Sequence, residues 1–141
     1  MPTPNLDLGY VSGDRQILPF LVTASASIVA GDLVVLDSSG YLSPAAAGGN
    51  DPIGVAFDTV TGGAADGDVT CGVDVSPTTL YRYTVGTGTI TQAMLGKTCD
   101  LAGPTSIDVT ASADDCVEIV QADVTNNRAI VRIVRTPAGV V

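Results

Sequence analysis

Groups able to move a proton near neutral pH are scarce in this chain of 141 residues, which contains no histidine and a single glutamate, Glu118. Histidine is the usual supplier of that chemistry. Glu118 falls inside a predicted strand, and the aspartates sit mostly at turns, where the residue is expected for local hydrogen bonding. Lys97 follows Gly96, the predicted stop of a short helix, and no thiol has a base beside it in the sequence. The pattern predicts no catalytic residue and no enzyme. Cys71, Cys99 and Cys116 cannot all pair within one chain, and none forms a close Cys-x-x-Cys. They read as small apolar core residues, with a disulfide within or between subunits as the other possibility. Without histidine, a zinc site would need carboxylates and isolated thiols at spacings that match no metal motif, so no metal is assigned. Asp66-Gly67-Asp68 lacks the staggered ligands and closing glutamate of a calcium loop and reads as a solvated turn. Gly86-Thr87-Gly88 begins like a dinucleotide loop, but a single helical turn follows it and no βαβ context surrounds it, so no cofactor is expected.

The elements around these residues are short strands separated by turn clusters. The length fits a single domain with one core. Leu33-Val34-Val35-Leu36 is apolar on both faces and reads as a central strand, with Asp37-Ser38-Ser39-Gly40 as the turn after it. In Ile53-Gly54-Val55-Ala56-Phe57 the large side chains stand at odd positions and are expected to fill the core. The small ones on the other face allow a backbone or a subunit to approach closely. Val69 to Val75 alternates, with Val69, Cys71, Val73 and Val75 predicted to point inward. Thr91 to Gly96 is the one helix predicted, about one turn long, with Thr91 as N-cap and Gly96 as a left-handed stop. Val117 to Gln121 and Ala129 to Arg135 form the clearest hairpin, closed by Asn126-Asn127, residues that tolerate positive φ. The fold class is all-β: a small antiparallel β-barrel or sandwich over residues 22–141, with an extended N-terminal arm at 1–21 and one short helix.

Pro2, Pro4 and Pro19 block regular pairing in the arm, yet Leu6, Tyr10, Leu18 and Phe20 are too apolar to remain in water. Either these residues lie over their own barrel or they dock on a neighbouring protein. Tyr81, Tyr83 and Val85 share one strand face; such a tyrosine stripe suits a half-buried sheet or a subunit interface. In the last strand Ala129, Val131 and Ile133 share one face and Arg128, Ile130, Arg132 and Val134 the other. Arg128, Arg132 and Arg135 cluster there, either neutralising nearby carboxylates or binding a partner. Tyr81, Tyr83 and Ile130 are the subunit-interface candidates.

A net charge of −9 would repel phosphate, which excludes nucleic acid as a partner. Ile17 to Val22 and Leu33 to Leu36 are the longest apolar stretches and fall far short of the roughly 20 residues that cross a bilayer, so no membrane is expected. The N-terminus has no positive region before an apolar core, so no signal peptide is predicted and the mature protein is expected to begin near residue 1. Only 15% of residues are charged and 45% are hydrophobic, so surplus apolar surface is expected to be covered by other copies of the chain.

The run "VAGDLVVLD" with its "SSGYL" return, "DPIGVAFD" after a small-residue loop, "YRYTVGTGTITQAMLGKTCDL" and the terminal "VEIVQADVTNNRAIVRIV" together resemble the small β-barrel cement or decoration proteins of tailed bacteriophages. That resemblance spans roughly Val22 to Pro137. It implies a homotrimer on the outer surface of the capsid, within the virion, that binds and bridges major capsid protein subunits and stabilises the head, often through an extended N-terminal segment. Leu6, Tyr10, Leu18, Phe20, Arg128, Arg132 and Arg135 are then the capsid-contact candidates. A receptor- or carbohydrate-binding module of the virion surface is the alternative, favoured if the face carrying Tyr81 and Tyr83 is exposed and concave.

Overall fold

A computed structural model describes residues 9–47 and 51–135. Its strands follow the turn punctuation of the sequence: β1 (Gly9–Ser12), β2 (Ile17–Leu21), β3 (Ser27–Ile28), β4 (Leu33–Leu36), β5 (Leu42–Pro44), β6 (Gly54–Ala56) and β7 (Val60–Thr61) in the first half. The second half holds β8 (Thr70–Asp74), β9 (Leu80–Thr87), β10 (Thr98–Gly103), β11 (Ser106–Asp108), β12 (Val117–Asp123) and β13 (Arg128–Ile133). The all-β expectation holds. The expected short helix is a single 3-10 turn at Gln92–Met94, where Thr91 is extended but makes no side-chain cap and Gly96 has φ +78°.

Two curled sheets share the chain. In the first, the order β9-β11-β10-β12-β13 is closed by pairing of β13 back onto β9, which gives a five-stranded ring, and β1 adds to the free part of β9. All these pairings are antiparallel except β9 with β11, because the β10–β11 hairpin folds back and inserts β11 beside β9. The second sheet has the order β2-β8-β6-β4-β5, and a bridge between Val22 and Leu42 curls its two ends toward each other. β3 and β7 form a separate pair.

Burial follows the two-residue period. Tyr81, Tyr83, Val117, Ile119, Ala129 and Val131 point into the ring. Leu33 and Val55, cross-strand partners in the second sheet, pack into the same cluster. Their neighbours Val34 and Ala56 face the other way, into a second cluster with Val22, Ile28, Cys71 and Val73. The doubly apolar character of Leu33 to Leu36 is thereby explained: β4 is packed on both faces. The lobes are also joined by polar contacts, with Leu33 N–H donating to Pro104 O at 2.7 Å and the Tyr83 hydroxyl donating to Gly31 O at 2.8 Å.

The N-terminal region departs from the expectation of an arm, because Gly9–Ser12 and Ile17–Leu21 are strands of the two sheets. The turn between them is fixed as well. Gly13 has φ +105°, and a Cβ on it would lie 3.0 Å from Thr78 O; Gln16 N–H donates to the buried Asp74 carboxylate at 3.0 Å. Pro19 does not exclude β2 from the sheet. It stands opposite Gly72, whose carbonyl is engaged by Phe57 N–H on the far side of β8, so the pyrrolidine nitrogen faces the open edge where no donor is needed. Leu6 lies outside the described residues.

Gly54 bears out the expected close approach: a Cβ there would sit 2.2 Å from Asp74 O of β8. Phe57 departs from its expected place in the core and is 49% exposed. β6 ends at Ala56, and Phe57 projects past the cover that the ring gives to Val55.

Candidate interaction surface

The aspartates are occupied in local structure. Asp66 Oδ1 accepts Ala24 N–H at 2.8 Å, and Asp68 Oδ2 accepts Ala65 N–H at 3.0 Å. The buried Asp100 accepts three backbone donors, from Ala113, Asp114 and Asp115. Among the described residues no group of three or more His, Cys, Asp or Glu is placed to hold a metal ion. Cys71, Cys99 and Cys116 are buried free thiols. Burial, with the Asp100 charge second, pushes the Cys99 thiol up to about 12, and burial with Asp51 second does the same for Cys116.

Tyr81 and Tyr83 are 5% and 2% exposed within this one chain, which corrects their expected role at a subunit interface. Their rings stack at 6.2 Å inside the ring of strands because odd positions of β9 point inward. Burial, and then the hydrogen bond to Asp74, raise the Tyr81 phenol far above its usual range. Tyr10 continues the row to the surface, edge-on to Tyr81 at 6.0 Å.

The arginine face is paired off within its own hairpin. Arg128 Nη2 lies 2.8 Å from Asp123 Oδ2 and Arg132 Nη2 lies 2.5 Å from Glu118 Oε1, each with its direct cross-strand partner. The Asn126 side chain first, and Arg128 second, lower the Asp123 carboxyl to about 2. These contacts favour neutralisation within the chain over partner binding for Arg128 and Arg132. Ile130 is half-buried between them, and Arg135 is exposed beyond the end of β13.

The exposed apolar surface gathers on β2 and its neighbours. Ile17, Leu18 and Leu21 are exposed, while Phe20 turns partly into the second core. On the sheet face that carries Ile17, Pro19 and Leu21, the β8 residue opposite Pro19 is Gly72, and the space above it is taken by the Asp58 carboxylate and the Ile17 side chain. Arg15 caps this region, with its guanidinium carbon 3.8 Å from the Tyr10 ring centroid and 5.3 Å from that of Phe57. Beside it opens a cavity of about 240 Å³ that reaches Gly9, Gly31 and Tyr81. Sequence reasoning singled out Tyr10 and Leu18 but missed Arg15 and Phe57. The exposed position of Phe57 depends on where β6 stops relative to the ring, which no local pattern reveals.

No protein-family model matches the chain, and no curated protein matches it in sequence. Its fold is similar to that of the N-terminal base of the head fibre protein gp8.5 of bacteriophage phi29. The TM-score is 0.55 at 16% identity, and the match covers 88% of this chain and 99% of that one. At that identity the likeness is one of fold.

Proposed function

We propose that this chain is a structural protein of a bacteriophage head: a cement or decoration module that sits on the outer capsid surface, bridges major capsid protein subunits and stabilises the head. The observation that carries the reading is the fold, which follows the base of a phage head fibre over nearly the whole of both chains. The exposed Ile17, Pro19 and Leu21 on one face of β2 support it, because apolar side chains exposed together on a folded domain mark contact with another protein. A bridging protein gains affinity from several modest contacts made at once, each raising the local concentration of the next. Self-association as a homotrimer would add such contacts. The carbohydrate-binding alternative rested on an exposed Tyr81 and Tyr83 face and loses that support, since both rings are buried.

The test is co-sedimentation of the purified chain with empty phage heads that lack it, followed by heating. Saturable binding at a fixed copy number per capsid, with a raised temperature of head disruption, is the expected result. Binding to glycans without binding to heads would overturn the reading.

A further inference from the structure

We propose that Arg15, held between Tyr10 and Phe57, is the centre of a docking site for a protein segment that carries a carboxylate among apolar side chains. Charge is the first reason. On a chain of net charge −9, Arg15 is an exposed guanidinium without an ion pair to any described carboxylate, whereas Arg128 and Arg132 are each paired within their own hairpin. The nearby Asp58 is already engaged, with Oδ2 accepting Gly72 N–H at 2.8 Å.

Preorganisation is the second reason. A guanidinium lying on an aromatic face keeps its in-plane N–H donors free while losing little further freedom on binding, and it matches a carboxylate with two parallel hydrogen bonds. The third is what surrounds it. The 240 Å³ cavity beside Arg15 is bordered by the Tyr10, Phe57 and Tyr81 rings and by Gly9, Ala30 and Gly31, and Ile17 and Leu21 stand exposed on the neighbouring strand β2. A phosphate or a free anion would use the guanidinium but leave this apolar surface wet. A segment with an Asp or Glu between apolar residues uses both. Arg and aromatic residues are also the types that concentrate binding energy in protein interfaces.

The test titrates the full-length, nitrogen-15-labelled chain with acetyl-Leu-Asp-Leu-Val-amide and, separately, with acetyl-Leu-Asn-Leu-Val-amide. The expected result is shifts of the Gly9, Tyr10, Gly31 and Phe57 amides and of the Arg15 Nε–H. The Asp peptide should bind about two- to fivefold more tightly than the Asn peptide, the range an exposed ion pair allows. Arg15→Gln should erase that ratio while leaving the rest of the spectrum in place, since the side chain is exposed. Equal binding of the two peptides, or shifts confined to another surface, would overturn the assignment. Concentration-dependent shifts of the same amides without peptide would also overturn it, giving the site to a second copy of the chain.

Discussion

The Tyr81 hydroxyl donates to Asp74 Oδ2 at 2.5 Å and so joins the ring of strands to the second sheet through a pair of buried side chains. Asp74 Oδ1 meanwhile accepts the Gln16 and Ser76 amides. One carboxylate therefore ties together the N-terminal turn, the end of β8 and the middle of the ring. Its burial is tolerated because both oxygens are satisfied.

Replacing Tyr81 by Phe should cost about 1.5–3 kcal/mol, since a buried carboxylate oxygen loses its donor. Tyr83→Phe removes only a bond to the Gly31 carbonyl and should cost about 0.5–1.5 kcal/mol. Urea unfolding checks the order: both midpoints should fall with the slope unchanged, Tyr81→Phe falling further. Equal midpoints would show that the Tyr81 bond has no special weight.

Gly54→Ala tests the close approach of β6 and β8. The φ of Gly54 is not positive, so the effect is purely steric, and the added Cβ must move backbone rather than a flexible side chain. A loss of about 3 kcal/mol is expected, the upper end for overpacking. Ala56→Gly on the same strand serves as the opposite control, because it removes a methyl group from the second core.

Pro19→Thr should leave the melting temperature within a few degrees of the original while raising the tendency to associate. Threonine places an N–H on the open edge of β2 and makes the edge competent to pair with another strand. Light scattering over a concentration series gives the answer. An unchanged scattering profile would mean that Pro19 does not guard this edge.

Stability should decline in alkali. The Cys99 and Cys116 thiols are pushed up from 9.0 to about 12 when folded, and Cys71 is raised in the same direction. Below pH 9 both folded and unfolded chains keep these protons and the term has its full value. Between pH 9 and 12 the unfolded chain releases them while the folded chain does not, so stability falls as pH rises. Urea midpoints measured from pH 7 to 10.5 should drop only above pH 9, and a thiol reagent at pH 8 should react only after denaturation.

The last hairpin was legible because its signals are local. Ala129, Val131 and Ile133 recur at strand period and are buried while Arg128 and Arg132 stand on the other face, and Asn127 takes φ +53° where an asparagine-rich turn had announced a positive value. Gly54 was legible for a similar reason, a small residue between large ones at strand period. The N-terminal strands were not, because Pro19 breaks a strand in general and is harmless only when its nitrogen faces an open edge, a fact fixed by pairing with residues about fifty positions away. The tyrosine stripe was found, but not its direction. Whether Tyr81 and Tyr83 face a partner or the chain's own interior depends on closure of β13 onto β9. Arg15 carried no signal at all, since its ring partners come from β1 and from the residue after β6.

That closure also governs how the molecule is made. β9 receives β1 along one edge and β13 along the other, so a strand from the middle of the chain waits for partners from both directions. During synthesis the first partner is already present, but the ring stays open until residues near Ile133 have emerged. Until then the inward faces of Tyr81, Tyr83 and Val85 are exposed to water and to other nascent chains. Pairings of such long sequence separation place folding in the slow range of milliseconds to seconds for domains of this kind, roughly speaking. The ring therefore cannot close around its tyrosines before β13 is in place, however early the other strands have paired.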